Sequence, residues 1–540
     1  MIDITLQTAS CARSAGNKLA SQAIRTFPLF EVHAMIRFDC RAGFVTMQES
    51  ARSRVTRAAL ALSLLLGLTL GEGAVAESVN WLDPAGYQKP HPITLNKPDE
   101  ATIANKYWID LSAGSGSTCS QSSPCGSFDS VIGKTGTNGG PAIIYVKGTG
   151  DMSLYNKTLR GSGDADCRVA SCANWILIRT WPAGSPGCST ECTATITGDS
   201  NMNSPSGVNH VMFDGGPDLK IRFNSNAGTG TYANHIIANY VIVYRTQTYC
   251  SGSNGQLGWS VGDTSVASHV YFINNEFYGC ANTGDQASAV YAGPGSGGGY
   301  SDLAIQNNII RDFFGEGVEI NPRVTSSNLT ISGNAIHGVG KGTCGGGWQC
   351  RPALVVSVQS GGGNNNTLIY NNLMWDTGSG CIWDRGGGTP KPLIANNTCF
   401  DFGKGSGGGG PNPEGISGYS NGGTAVLRNN LIYAPNGTAP LDGSNFTASN
   451  NLCAAGSSCG SSSKSWSSAT VLSTDPTSSN FMQPGSGSET LDAGATVSSV
   501  TISYTGGSRP QGSAYDIGAF ESGSGTAPVK PDPPSGITVQ

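Results

Sequence analysis

Residues 367–375 read TLIYNNLMW: an apolar run, a pair of asparagines, then a second short apolar run. The same shape returns at 271–278 (YFINNEFY), 303–311 (LAIQNNIIR) and 392–400 (PLIANNTCF). Taking the second asparagine of each pair, with SGN and ASNN as variants, gives Asn275, Asn308, Asn334, Asn372, Asn397, Asn430 and Asn451. The spacings are 33, 26, 38, 25, 33 and 21 residues, with a mean near 29. A repeat of 20–50 residues is the mark of a solenoid or a similar array. Unequal spacing means that loops of different length are inserted into a fixed coil.

The apolar runs are rich in Val, Ile, Leu and Tyr and are broken by Gly, Asn and Ser, which reads as short strands. No stretch after residue 135 holds a helical apolar period. A second strand follows most asparagine turns: SAVYAG from Ser288, GVEIN from Gly317, ALVVSV from Ala353, CIWDR from Cys381 and EGISGY from Glu414. Each coil therefore carries several strands joined by bends, and stacked coils build long parallel sheets at ~4.8 Å spacing. Asparagine tolerates the left-handed backbone that a tight bend requires. Pointing inward, its amides can hydrogen-bond from coil to coil, which satisfies polar groups that are costly to bury alone.

Residues 58–70, AALALSLLLGLTL, follow Arg52, Arg54 and Arg57 and precede Ala74-Val75-Ala76. A basic start, a short apolar centre and a small-x-small exit describe a secretory signal peptide. The run is shorter than the ~20 residues of a membrane span. The chain divides into a leader (1–46) ahead of an initiator at Met47, a signal peptide (47–76), an N-terminal extension (77–105), the solenoid (106–521) and a Gly/Ser/Pro linker tail (522–540). This predicts a secreted, periplasmic or cell-surface protein with no membrane span. The formal net charge of −5 with only 12 % charged residues argues against a nucleic-acid binder, which needs a basic face. Of 16 cysteines, five close pairs stand out: Cys119/Cys125, Cys167/Cys172, Cys188/Cys192, Cys344/Cys350 and Cys453/Cys459. In an exported chain these predict disulfides. Pairing among Cys250, Cys280, Cys381 and Cys399 is open. Zinc is disfavoured, since no CxxC occurs and the histidines are scattered.

The repeat resembles the right-handed parallel β-helix of the pectate-lyase-like superfamily. Residues 106–150 are similar to the capping segment of its bacterial members, and RPQGSAYDIGAFE (509–521) is similar to their closing motif. The resemblance implies an all-β, single-stranded right-handed parallel β-helix, stapled here by disulfides. It implies no single chemistry, because the superfamily holds lyases, hydrolases, epimerases and non-enzymes. The chain has no RxPxxR, no NTD/DD/GHG set and no DPHE run, so no catalytic residue carries over.

In that superfamily substrates lie along the outer face of one sheet. With Val290, Val318, Leu354, Ile382 and Ile416 inward, strand alternation turns Tyr291, Glu319, Val355, Trp383 and Ser417 outward. The stripe predicts a sugar-binding surface at Tyr291 and Trp383, joined by Arg351 from a nearby loop. Arg323, Asp384, Arg385, Glu414 and Lys404 lie just beyond the strands, among Gly-rich loops where function concentrates. A glycoside hydrolase needs two carboxylates, for which Glu319 with Asp384 or Glu414 would serve. A polysaccharide lyase needs a cation against the uronate, a base and an acid; Arg323, Arg351 or Arg385 would neutralise, and Lys404 or Lys341 would be the base. No cofactor is required by either scheme. An Asp column (Asp312, Asp376, Asp401) offers oxygen ligands of the kind calcium takes, with backbone hydrogen bonding at turns as the other reading. The expectation is a monomeric exported enzyme acting on a polysaccharide, with a non-catalytic glycan-binding surface or matrix protein as the alternative.

Overall fold

The computed structural model describes residues 34–39, 44–49 and 89–522, less short internal stretches at 153, 164–165, 198–199, 203–206, 226–233, 251–256, 281–286, 342–350, 358–361, 387–389, 406–412, 419–423 and 443–444. The expected signal peptide beyond residue 49, including its apolar run 58–70, and the tail beyond 522 lie outside the described residues. The chain divides into two units, Met1–Glu77 and Ser78–Gln540. In the first, strands Ala34–Asp39 and Phe44–Glu49 pair antiparallel.

The second unit is the predicted right-handed parallel β-helix, and no α-helix occurs among its described residues. Each full coil contributes to three parallel ladders. Sheet B holds the longer strands, such as Val266–Ile273, Gly299–Gln306, Thr325–Ser332 and Gly363–Tyr370. Sheet C holds the three-residue strands after the turn, such as Ile309–Arg311, Ala335–His337 and Leu373–Trp375. Sheet A is eight-stranded and runs from Ser200–Met202 to Ile416–Ser417. The interior is a stack of apolar side chains in register. One column runs Val243, Phe272, Ile305, Ile331, Ile369, Ile394, Leu427, and every member is buried.

The paired asparagines divide two tasks between them. The first of each pair, at Asn274, Asn307, Asn371, Asn396, Asn429 and Asn450, takes the left-handed backbone with φ between 52° and 57°. In the SGN variant Gly333 takes that position at φ 64°, where lack of a Cβ removes the strain. The second asparagine points inward and forms the predicted ladder. Asn334 Nδ2 donates to Asn372 Oδ1 at 2.9 Å and to Ile305 O at 2.8 Å, while its backbone N–H donates to the same Oδ1 at 3.0 Å. This pattern repeats from Asn275 through Asn308, Asn334, Asn372, Asn397 and Asn430 to Asn451. All seven are fully buried. Upstream, Thr246 takes the ladder position and donates to Asn275 Oδ1 through both its N–H and its hydroxyl.

The first asparagines have a further use. Their side chains face outward and hold the two ends of the unit along the B–C corner. Asn274 and Asn307 donate to Ile93 O and His91 O. Asn371, Asn396, Asn429 and Asn450 donate to Ile502 O, Asp516 O, Ala495 O and Ala493 O. The DIGAFE stretch is part of this dock: buried Arg509 pairs with Glu521 and donates to Gly518 O, Phe520 O and Asn371 Oδ1. Phe128 and Val131 of a single 3-10 turn pack into the core beside Cys119 and Cys125 at the opposite end.

Six disulfides form among the described residues. Four are the expected close pairs Cys119–Cys125, Cys167–Cys172, Cys188–Cys192 and Cys453–Cys459; Cys344 and Cys350 lie outside the described residues. The four cysteines left open pair as Cys250–Cys280 and Cys381–Cys399. No helix of the described residues is long and apolar enough to cross a membrane.

Candidate active site

Sheet A brings the predicted stripe into register. Tyr291 pairs with Glu319, Glu319 with Val355, Val355 with Trp383, and Trp383 with Ser417. The expectation that these side chains meet solvent is corrected. Tyr291 and Glu319 are 4 % exposed, Trp383 is 1 % exposed and Ser417 is fully buried. Alternation told which way each side chain points, and it carried no information about what covers that face.

Glu319 is the centre of a polar cluster. It shares a hydrogen bond with Glu316, a residue the sequence reading passed over because it precedes the strand. Burial pushes the Glu319 carboxyl well above the usual range, and the Glu316 charge pushes it further; Arg351 and Arg385 pull the other way without cancelling the shift. Glu316 is fully buried, accepts from Ser288 Oγ at 3.3 Å and lies 3.8 Å from Arg351 Nε. Asn321 donates to Glu319 Oε1 at 3.4 Å and to the Tyr291 hydroxyl at 3.3 Å, and is held by Ser357 Oγ at 2.7 Å. The Arg351 guanidinium stands 6.0 Å from the Trp383 ring centre. Tyr291, Glu319, Arg351, Trp383 and Arg385 are thus brought together, with Glu316 added.

The remaining candidates stand apart from this cluster. Asp384 was expected as a partner carboxylate for Glu319. It occupies the register position of Val356 and Ile320, both core residues, and accepts from the backbone N–H groups of Gly386, Thr424 and Ala425 at 2.9–3.0 Å. Its carboxyl ties two loops together. Glu414 precedes Ile416, which follows Val318, Leu354 and Ile382 in register. It therefore lies three rungs from the Glu316 position, about 14 Å along the axis, beyond the 5–10 Å of a hydrolase pair. Its Oε2 is buried without a hydrogen bond. Arg323 is exposed at the A–B corner and donates to Pro294 O at 3.1 Å. Lys404 sits at the C–A corner, paired with Asp401 and, at 3.3 Å, with Asp376. Burial lowers its affinity for a proton, but the hydrogen bond to Asp401 and the Asp376 charge outweigh that and hold the ammonium above the ordinary lysine range. A general base needs the opposite shift.

The Asp column lies in turns: Asp312, Asp376 and Asp401 have φ of 60°, 56° and 56°. Arg311, Lys341 and Lys404 pair with these carboxylates. Among the described residues no group of three His, Cys, Asp or Glu side chains is arranged to hold a metal ion.

No family model and no curated protein matches the chain. Among solved structures, pectate lyase Pel9A shares 14 % identity over 78 % of this chain and 98 % of its own, with a TM-score of 0.48. A rhamnogalacturonan lyase shares 10 % over 71 % of this chain and 97 % of its own, with a TM-score of 0.35. The GH136 lacto-N-biosidase from Eubacterium ramulus shares 9 % over 65 % of this chain and 68 % of its own, with a TM-score of 0.33. None of these likenesses assigns a role to a residue here.

Proposed function

We propose that the chain is an exported enzyme that cleaves an acidic polysaccharide by elimination, with Glu319 as the acid. The observation that carries this is the contact between the buried Glu319 and Glu316 carboxyls, beside Arg351 and Arg385. Two hydrogen-bonded carboxyl groups stand too close to flank a glycosidic bond as a hydrolase pair does. They suit proton removal and proton return on one face of a sugar. The arginines face the carboxylate of a uronate and stabilise the charge that develops when the proton beside it leaves. Glu316 takes that proton and Glu319 delivers its own to the leaving oxygen. Six disulfides favour an oxidising, exported setting, and the working species is a monomer.

The test is incubation with a panel of uronate polymers while following ultraviolet absorbance of the unsaturated product. Glu319→Gln is expected to abolish the signal and Arg351→Ala to raise KM and lower kcat. No absorbance on any uronate polymer would sink the elimination reading. The burial of Glu319 and Trp383 favours a second reading, in which these two residues are structural and the protein binds glycans elsewhere on its surface without turning them over. That reading expects retention on immobilised polymer with no new reducing ends.

A further inference from the structure

Sheet C carries two different outer faces. Towards the C-terminus, Ala335, Leu373, Trp375 and Phe400 are buried in one cluster with Phe481 and Met482. The other part is a ladder of six rungs: residues 148–151, then Ala194–Thr197, Ile221–Asn224, Thr246–Tyr249, Glu276–Tyr278 and Ile309–Arg311. At ~4.8 Å per step it is ~24 Å long. Ile221, Phe223, Phe277 and Ile310 point into the core, so Arg222, Tyr249, Tyr278 and Arg311 share the outer face, and all four are partly exposed. Tyr249 and Tyr278 stack with ring centres 5.6 Å apart and planes 14° from parallel. The Arg311 guanidinium closes this stack 4.5 Å from the Tyr278 ring centre, and Glu276 neutralises it at 2.8 Å. Arg222 is not neutralised in this way. Its register neighbours are Thr195 and Gln247, and its Nε is buried with no hydrogen-bond partner, where such groups are normally paired. Lys220, just before the same strand, is also partly exposed. Among the described residues no acidic side chain forms an ion pair with either cation.

The chemistry of this face narrows what it takes. Its outward residues are Thr, Arg, Asn, Gln and Tyr, without the apolar centre of a protein interface. A nucleic-acid duplex carries one charge per ~1.7 Å, or ~14 along these rungs, against two unpaired cations. A chain rich in hydroxyls with sparse negative charge fits both counts. We propose that the open part of sheet C is a non-catalytic binding surface for a uronate-containing polysaccharide lying along the axis. Arg222 and Lys220 face a uronate carboxylate, for which a guanidinium has the matching geometry. The edges of the Tyr249–Tyr278 stack and the Gln247 amide face the hydroxyls of neighbouring sugars. This surface lies on a different sheet from Glu319, so binding here stands or falls separately from turnover on sheet A.

The full-length, disulfide-intact chain is run in native gels containing polygalacturonate, with dextran as the neutral control, and Kd is taken from the retardation. The expected result is retardation by polygalacturonate and not by dextran, fading as salt is added. Arg222→Ala is expected to weaken binding by roughly tenfold or more while keeping the wild-type kcat for elimination. Glu319→Gln is expected to bind as wild type. In the unaltered protein, polygalacturonate is expected to slow acetylation of Lys220 by acetic anhydride, read by mass spectrometry. The proposal is overturned if the wild-type chain is not retarded, or if Arg222→Ala, with wild-type circular dichroism, is retarded as strongly. It is equally overturned if Glu319→Gln abolishes the retardation, which would place the polymer on sheet A, or if the polymer leaves Lys220 acetylation unchanged.

Discussion

Replacing Asn372 by Ala removes one rung from the middle of the amide ladder. Three buried groups lose their partner. Asn334 loses the acceptor for its backbone N–H and for one Nδ2 hydrogen, and Ile331 O loses its side-chain donor. Asn397 Oδ1 keeps the backbone N–H of residue 372, so it is not counted. A buried group stripped of its partner costs about 1–3 kcal/mol, and three such groups give about 3–6 kcal/mol once partial relaxation is allowed. The local environment is fully buried, so water does not replace the lost partner. The assay is guanidinium unfolding of the oxidised chain, followed by tryptophan fluorescence and by circular dichroism together, because a solenoid can unfold in segments. Asn480→Ala, at an exposed turn, serves as control and is expected within ~0.5 kcal/mol of wild type. If Asn372→Ala is no more destabilising than Asn480→Ala, the column of amides does not carry the stability assigned to it.

Glu319→Gln should change the pH dependence of stability. The folded carboxyl is shifted up, so wild type loses stability as pH rises from the unfolded glutamate value of ~4.3 towards the folded one; the variant, compared at each pH by thermal unfolding, should gain on wild type over that window. Asp214 is the reverse case: burial opposes its ionisation, but Arg179, Arg245 and Lys97 outweigh it and hold the carboxyl below its ordinary range. Asp214→Asn is expected to cost about 3–5 kcal/mol at pH 7, with the gap to wild type closing as pH falls below ~3.9, where wild type loses what the pair contributed. Cys250–Cys280 spans 30 residues and Cys453–Cys459 spans 6. Loop-closure entropy then predicts a loss of about 3.6 kcal/mol for the Cys250/Cys280 double alanine variant and about 2 kcal/mol for the other, checked by denaturation midpoints.

Part of the candidate site was legible before the structure. Tyr291, Glu319 and Trp383 were aligned by counting alone, because a two-residue alternation fixes side from side and one inward residue sets all the rest. Glu316 was not, since it precedes its strand and alternation does not extend there. Asp384 looked like a free acid beside an arginine. Its carboxyl is engaged by the N–H groups of Thr424 and Ala425, forty residues on, and no local pattern signals a partner at that distance. Lys404 looked like a base in a glycine loop, and its hold on a proton comes from Asp401 three residues back and from Asp376 of the preceding coil.

The sequence by itself determined the coil, its period and the inward amide column, since these follow from short-range rules: strand alternation, tolerance of a left-handed bend, and the need to pair a buried amide. It also determined four short-range bridges, Cys119–Cys125, Cys167–Cys172, Cys188–Cys192 and Cys453–Cys459. The tertiary structure alone decided that the first asparagine of each pair clasps the chain ends, that the long-range disulfides join 250 to 280 and 381 to 399, and that the aligned face of sheet A is covered. Those outcomes depend on which distant segments settle against a given coil. That is a matter of three-dimensional packing and desolvation, and neither leaves a trace in local spacing.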